Sequence, residues 1–105
     1  MKKFRVSFRP HAATDLLHLY DHIAAEADTG IAGGYIDRIE AACLSLETFP
    51  ERGTKRDDIR HGIRTMGFER RATIVFRVQG REVVIVRILY GGRDFLLALR
   101  HADDA

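Results

Sequence analysis

Glu82-Val83-Val84-Ile85-Val86-Arg87-Ile88-Leu89-Tyr90 is the stretch from which the rest of the chain can be arranged. Six of its nine residues are Val, Ile or Leu, and they occupy both alternating faces,. A strand that is apolar on both sides implies a central position in its sheet. Strict alternation places Val84, Val86, Ile88 and Tyr90 on one face and Val83, Ile85, Arg87 and Leu89 on the other,. Gly91-Gly92 ends the run. Upstream, Gln79-Gly80 reads as a tight turn, so residues 71–78 form the antiparallel partner,. Residues 62–68 supply a third strand and complete a meander. Residues 51–61 are polar and basic, carry Gly53 and show no period, so they read as a loop. Residues from Asp94 onward are expected to form a short helix or a final strand.

The first half has a different rhythm. Phe4, Val6 and Phe8 alternate with Arg5, Ser7 and Arg9, a strand with one buried face,. Pro10 suits the first turn of a helix, where a missing N–H costs nothing,. Ala13, Leu16, Tyr20, Ile23 and Ala27 then step by three and four, and Leu17 and Ala24 widen the stripe,. Asp28-Thr29-Gly30 interrupts it. A second stripe runs through Ala32, Ile36, Ile39, Cys43 and Leu46 until Pro50,. Two helices joined by so short a connection pack as an antiparallel hairpin. The predicted order is β-α-α-β-β-β, an α+β fold with the helical hairpin on one face of a small antiparallel sheet. The other face is expected to be partly open.

A chain of 105 residues makes one domain, residues 1–105, with 101–105 as a frayed tail,. It is too short for a doubly wound sheet or an α/β barrel. Hydrophobic residues at 46% against 30% charged exclude a disordered chain,. The single Cys43 excludes a disulfide framework, suits a reducing cytosol and falls on the buried stripe as packing,. No apolar run is long enough to span a membrane. Arg5, Arg9 and Asp15 break what could have been a signal peptide, so a cytoplasmic location is expected,.

Charge is unevenly spread. Residues 10–50 hold one base, Arg38, against seven acids, a net of −6. With +2 overall, the remainder carries +8, which is the pattern of a cationic face for an acidic partner or nucleic acid.

Gly91-Gly92-Arg93-Asp94 lacks the spacing of a phosphate loop, and the sequence has no Cys-x-x-Cys pair and no catalytic serine motif,. His18 and His22 stand four apart with Asp15 a turn earlier, but a zinc site needs a third fixed ligand and supporting partners,. That trio reads as a solvated helix face, and no metal or cofactor is expected. The informative group is basic: Arg52, Lys55, Arg56, Arg60 and His61, with Arg64, Arg77, Arg87, Arg93 and Tyr90. A metal-independent RNA-cleaving site needs a base for the 2′-hydroxyl, cations for the developing phosphorane charge and an acid for the leaving oxygen. Arginine stays charged, which leaves Lys55, His61 and Tyr90 to move protons. The competing reading, which carries more weight, is arginines that hold an acidic peptide or line a solvated sheet.

Several runs, taken in order, resemble the RelE/ParE superfamily of bacterial toxins from type II toxin–antitoxin modules. They are the strand leading into Pro10-His11-Ala12-Ala13-Thr14-Asp15-Leu16, then Ile36-Asp37-Arg38-Ile39, then Leu46-Glu47-Thr48-Phe49-Pro50-Glu51-Arg52-Gly53. Gly62-Ile63-Arg64, Ile74-Val75-Phe76-Arg77-Val78 and Val84 through Asp94 follow. The hairpin and the Phe-Pro-x-x-Gly turn are most similar to the ParE branch. This resemblance implies a plasmid-stabilisation type of toxin that arrests growth by inhibiting DNA gyrase, without chemistry of its own. It also implies neutralisation by a cognate antitoxin encoded next door, in a hetero-oligomer that reaches DNA only through the antitoxin. Arg56, Arg64, Arg77, Arg87, Tyr90 and Arg93 would form the target- or antitoxin-binding surface. Tyr90 stands where a His is common in the ParE branch, and so resembles the RNase branch. The alternative is therefore a ribosome-dependent mRNA endoribonuclease, with Arg64, Arg87, Tyr90, His61 and Lys55 as its site and ribosome and mRNA as its partners. A further alternative is an inactive homologue that only binds antitoxin. An extended or helical antitoxin segment is expected along the hairpin and sheet edge, its acidic residues meeting the arginines.

Overall fold

A computed structural model describes residues 3–91; Arg93, the segment from Asp94 and the predicted frayed tail lie outside the described residues. The elements are β1 (Arg5–Phe8), α1 (Pro10–Glu26), α2 (Thr29–Leu44), a single 3-10 turn (Ser45–Glu47), β2 (Thr54–Lys55), β3 (Arg64–Phe68), β4 (Ala72–Gln79) and β5 (Glu82–Tyr90). The α+β layout of a helical hairpin on a small sheet is the predicted one. The sheet itself differs in two respects.

It is mixed rather than antiparallel, in the order β1-β5-β4-β3-β2. β1 lies parallel to β5, with Arg5 opposite Glu82 and Phe8 opposite Ile85. The Arg5 N–H donates to the Arg81 carbonyl at 2.8 Å and the Arg9 N–H to the Ile85 carbonyl at 2.9 Å, which ties both ends of β1 to β5. Alternation in β1 reports which face is buried and carries nothing about the direction of its neighbour. The second difference is β2, inside the stretch read as a loop. Gly53 enters it with φ +76°, and a Cβ there would lie 2.2 Å from the Thr65 carbonyl oxygen. Only glycine permits that approach. Thr54 then pairs with Thr65 and Lys55 with Arg64. Two residues are too few to show a period.

Both helices form where the apolar spacing predicts; α1 is turned by about one residue, whereas α2 keeps its predicted stripe except that Tyr35 replaces Ile36 inside. α1 buries Ala12, Asp15, Leu16, Leu19 and Ile23, while Ala13 and Leu17 are exposed. α2 opens on Asp28, whose side chain accepts from the Ile31 N–H at 2.7 Å,, and buries Ala32, Tyr35, Ile39 and Cys43. Burial pushes the Cys43 thiol up to about 12, so it is a packing residue held in the neutral form,.

The core has two parts. Between hairpin and sheet lie Leu16, Leu19, Ile39, Leu46, Ile74, Phe76 and Ile85, with further apolar neighbours. On the opposite face Ile63, Val75, Val84, Val86 and Leu89 form a second cluster, with Ile59 packed against it. None of those five exceeds 5% exposure. The expected partly open face is therefore closed.

The strict alternation of β5 also fails, at one point. Val75 opposes Arg87 and Phe76 opposes Ile85, which leaves Val86 as a bulge,. Beyond it the faces exchange, so Ile85 and Ile88 both join the helix-side core, and Tyr90 packs against that core too. Val84, Val86 and Leu89 belong to the other face.

Candidate functional site

Arg87 is the first of the predicted site residues to be resolved by geometry. Its Nε donates to Asp15 Oδ2 at 2.7 Å and its Nη2 to Oδ1 at 3.0 Å. The Ile88 N–H, freed by the bulge, donates to Asp15 Oδ2 at 2.9 Å. Both side chains are nearly buried, and the hydrogen bonds that Arg87 donates to Asp15 raise its pKa above the ordinary value,. Asp15, read as part of a solvated face, is instead the buried acceptor that joins α1 to β5. Arg87, expected on a binding or catalytic surface, is its internal partner.

Tyr90 lies at the far end of β5 in an aromatic group. Its ring meets His22 edge-on at 5.6 Å and Tyr35 at 6.1 Å, and Tyr35 meets Phe68 at 5.4 Å,. Arg71 Nη1 lies 3.5 Å from the Tyr90 hydroxyl. Arg38 stands 5.5 Å from the Tyr35 ring and holds Glu69 bidentately at 2.8 and 3.1 Å,. Desolvation raises the Tyr35 hydroxyl to about 12. Beside this group a cleft of about 530 Å³ is lined by Asp15, His18, Leu19, His22, Ile88, Tyr90 and Gly91. His22 contacts Glu26 at 2.6 Å and Asp15 is engaged by Arg87. Among the described residues no group of three His, Cys, Asp or Glu side chains is placed to hold a metal ion.

Lys55, His61 and Arg64 share a second cleft of about 350 Å³, whose walls include Phe4, Pro50, Ile63 and Val78. Lys55 and Arg64 face each other directly across β2 and β3. Arg64 Nη1 donates to the Arg52 carbonyl at 3.3 Å, and its Nη2 is 3.9 Å from Glu51. Asp57 accepts from the Gly62 N–H at 2.8 Å, and the exposed His61 stands 3.9 Å from it. Arg56 grips Asp58 at 3.1 and 3.2 Å.

The five residues of a possible RNase site are thus divided. Lys55, His61 and Arg64 lie together, Tyr90 lies elsewhere and Arg87 is internal. Along β4, Arg64 is opposite Phe76 and Tyr90 is opposite Ala72. Four residues of strand separate those positions, about 13 Å. Of the binding candidates, Arg64 lines the second cleft, Arg56 is engaged by Asp58, Arg77 is half-buried on β4, and Arg93 lies outside the described residues. Sequence reasoning missed Asp15, Arg71 and Tyr35. Asp15 had a signal: it sits among the inward spacing of Ala12, Leu16, Leu19 and Ile23.

A third feature lies on the hairpin, where Phe8, Leu16, Leu17, Tyr20 and Ile36 wall a largely apolar groove of about 470 Å³.

Residues 6–95 match the family model of the ParE toxin of the type II toxin–antitoxin system parDE. Toxin ParE3 of Caulobacter vibrioides is 32% identical over 77 residues, which is 73% of this chain and 76% of that protein. Among solved structures, the chromosomal ParDE TA system from P. aeruginosa aligns with a TM-score of 0.75 at 28% identity, over 85% of this chain and 97% of that one. The toxin–antitoxin complex RelBE2 from Mycobacterium tuberculosis aligns with a TM-score of 0.57 at 23% identity, over 86% and 93% respectively, and shares the fold.

Proposed function

The chain belongs to the ParE toxin family of type II toxin–antitoxin systems, and on that premise we propose that it arrests growth by binding DNA gyrase and is neutralised by its cognate antitoxin. The observation that carries the choice of binding over chemistry is the dispersal of the would-be RNase residues. A phosphoryl-transfer site has to bring its proton carriers and its cations onto one scissile phosphate. Here Arg87 is spent on Asp15 inside the molecule, and Tyr90 is held by His22, Tyr35 and Arg71. A recognition surface has no such requirement. Arg56, Arg77 and Arg93 are the proposed target contacts; Arg64, its side chain 14% exposed and held by the Arg52 carbonyl and Glu51, supports the loop that carries Arg56. Gyrase would place the toxin in the cytoplasm, and contact with DNA through the antitoxin would be indirect.

Induced expression of the chain tests this. The expected result is filamentous cells with DNA breaks and intact transcripts, together with inhibition of supercoiling by purified gyrase. Cleavage of translated messages that disappears in Tyr90→Phe would replace this reading with the endoribonuclease one. A chain that binds antitoxin but causes neither effect is the inactive homologue.

A further inference from the structure

The turn between β3 and β4, Glu69-Arg70-Arg71, is closed by the Arg71 N–H, which donates to the Phe68 carbonyl at 3.2 Å. Its two central residues are left-handed, Glu69 at φ 49° and Arg70 at φ 61°. Turns of this shape favour Asn and Gly, because a Cβ crowds the backbone when φ is positive. Elsewhere the chain follows that preference. The other positive-φ positions among the described residues are Gly53, Gly62, Gly80 and Gly91. The neighbouring turn between β4 and β5 puts Gly80 at φ +58° and keeps its exposed Arg81 out of the left-handed region.

The two strained residues differ in what holds them. Arg38 grips Glu69 through hydrogen bonds of 2.8 and 3.1 Å, which anchors the turn to α2 and neutralises the carboxylate. Arg70 is exposed and forms no hydrogen bond or ion pair among the described residues. Its neighbour Arg71, also exposed, lies 3.5 Å from the Tyr90 hydroxyl. The tip of the turn is therefore cationic. A left-handed arginine with no internal partner points to a contact made outside the molecule.

Resting on the gyrase reading, we infer that Arg70 is a further target contact, and that it takes a carboxylate of the gyrase protein. A guanidinium whose donors are all free suits a bidentate carboxylate. The turn, fixed by the Glu69–Arg38 bonds, sets where that side chain starts, so less order is lost when the pair forms. Arg70 also extends the proposed contact surface along β3. The Arg56 N–H bonds to the Ile63 carbonyl just before that strand, and Phe68 at its other end is four residues from Arg64, about 13 Å away,. Gyrase would be met at both ends of one strand.

The test pairs thermal melting of the full chain with surface plasmon resonance on purified gyrase, without and with DNA. Arg70→Gly removes the strain and the side chain together. It is expected to raise the melting temperature by about 5 °C while weakening gyrase binding about tenfold. Arg70→Lys keeps the charge but not the planar fork, and is expected to lose about threefold. Arg81→Ala deletes an equally exposed arginine from the neighbouring turn, and is expected to stay within about twofold of wild type. A lower melting temperature for Arg70→Gly would remove the premise that the turn is strained. Unchanged gyrase binding, an equal loss in Arg81→Ala, or a loss seen only with DNA present would each overturn the inference, the last in favour of a phosphate. Each of those failures leaves the gyrase reading intact, whereas a wild-type chain with no affinity for gyrase removes that reading and the Arg70 contact with it.

Discussion

A single carboxylate decides how α1 meets the sheet. Asp15 accepts three hydrogen bonds, two from Arg87 and one from the Ile88 N–H. Its neighbours Ala12, Leu16 and Leu19 face the core, and the paired side chains keep only 13% and 6% exposure at the edge of the first cleft. Removing one partner of such a pair strands the other charge in a poorly solvated place. Asp15→Ala is therefore expected to lower the unfolding free energy by about 3–5 kcal/mol, measured by urea denaturation. Asp15→Leu combined with Arg87→Met should recover much of that loss, because replacing both ions together leaves no unpaired charge. A double variant as unstable as Asp15→Ala would mean that the pair itself, rather than its disruption, holds the helix in place.

At the scale of elements, the β2–β3 pairing and the β5 bulge determine which side chains share a surface. β2 exists because Gly53 can sit at φ +76° against the Thr65 carbonyl. Gly53→Ala combines a left-handed backbone with a steric overlap, and is expected to cost at least about 2 kcal/mol and to detach Thr54–Lys55 from Arg64–Thr65. Amide hydrogen exchange at Thr54 and Thr65 reads the detachment directly, and unchanged protection there would contradict it. Lys55 and Arg64 stand opposite each other in this ladder, and like charges in that arrangement destabilise a sheet. The bulge at Val86 has a separate effect. It turns both Ile85 and Ile88 toward the helices, and frees the Ile88 N–H to cap Asp15.

Across the whole molecule, the acidic hairpin and the basic loop and strands form two surfaces of opposite sign. Charged surfaces of this kind govern association rate and salt dependence more than they govern fold. Lys55→Glu, made with Arg56→Glu, is expected to slow association with gyrase about tenfold at low salt, and the deficit should shrink as ionic strength rises, Lys55 being exposed,. Surface plasmon resonance with immobilised gyrase measures this, and a deficit independent of salt would indicate lost shape rather than lost charge.

The sequence by itself determined the two helices, four of the five described strands, the α+β class and the family, because period and turn chemistry are local and the runs occur in a fixed order. It also placed Ala32, Ile39, Cys43 and Leu46 inside. What only the tertiary structure decided was which of two adjacent apolar stripes on α1 turned inward, that β1 runs parallel to β5, that the far face is closed, and that Arg87 belongs to Asp15. Leu16 and Leu17 are equally apolar in the chain, and only the second is left in water. The reason is the same in each case. Alternation and helical spacing fix a side chain's angle about its own element, whereas partners 72 residues apart meet only after every element has been packed, and one bulged residue is enough to exchange the faces beyond it.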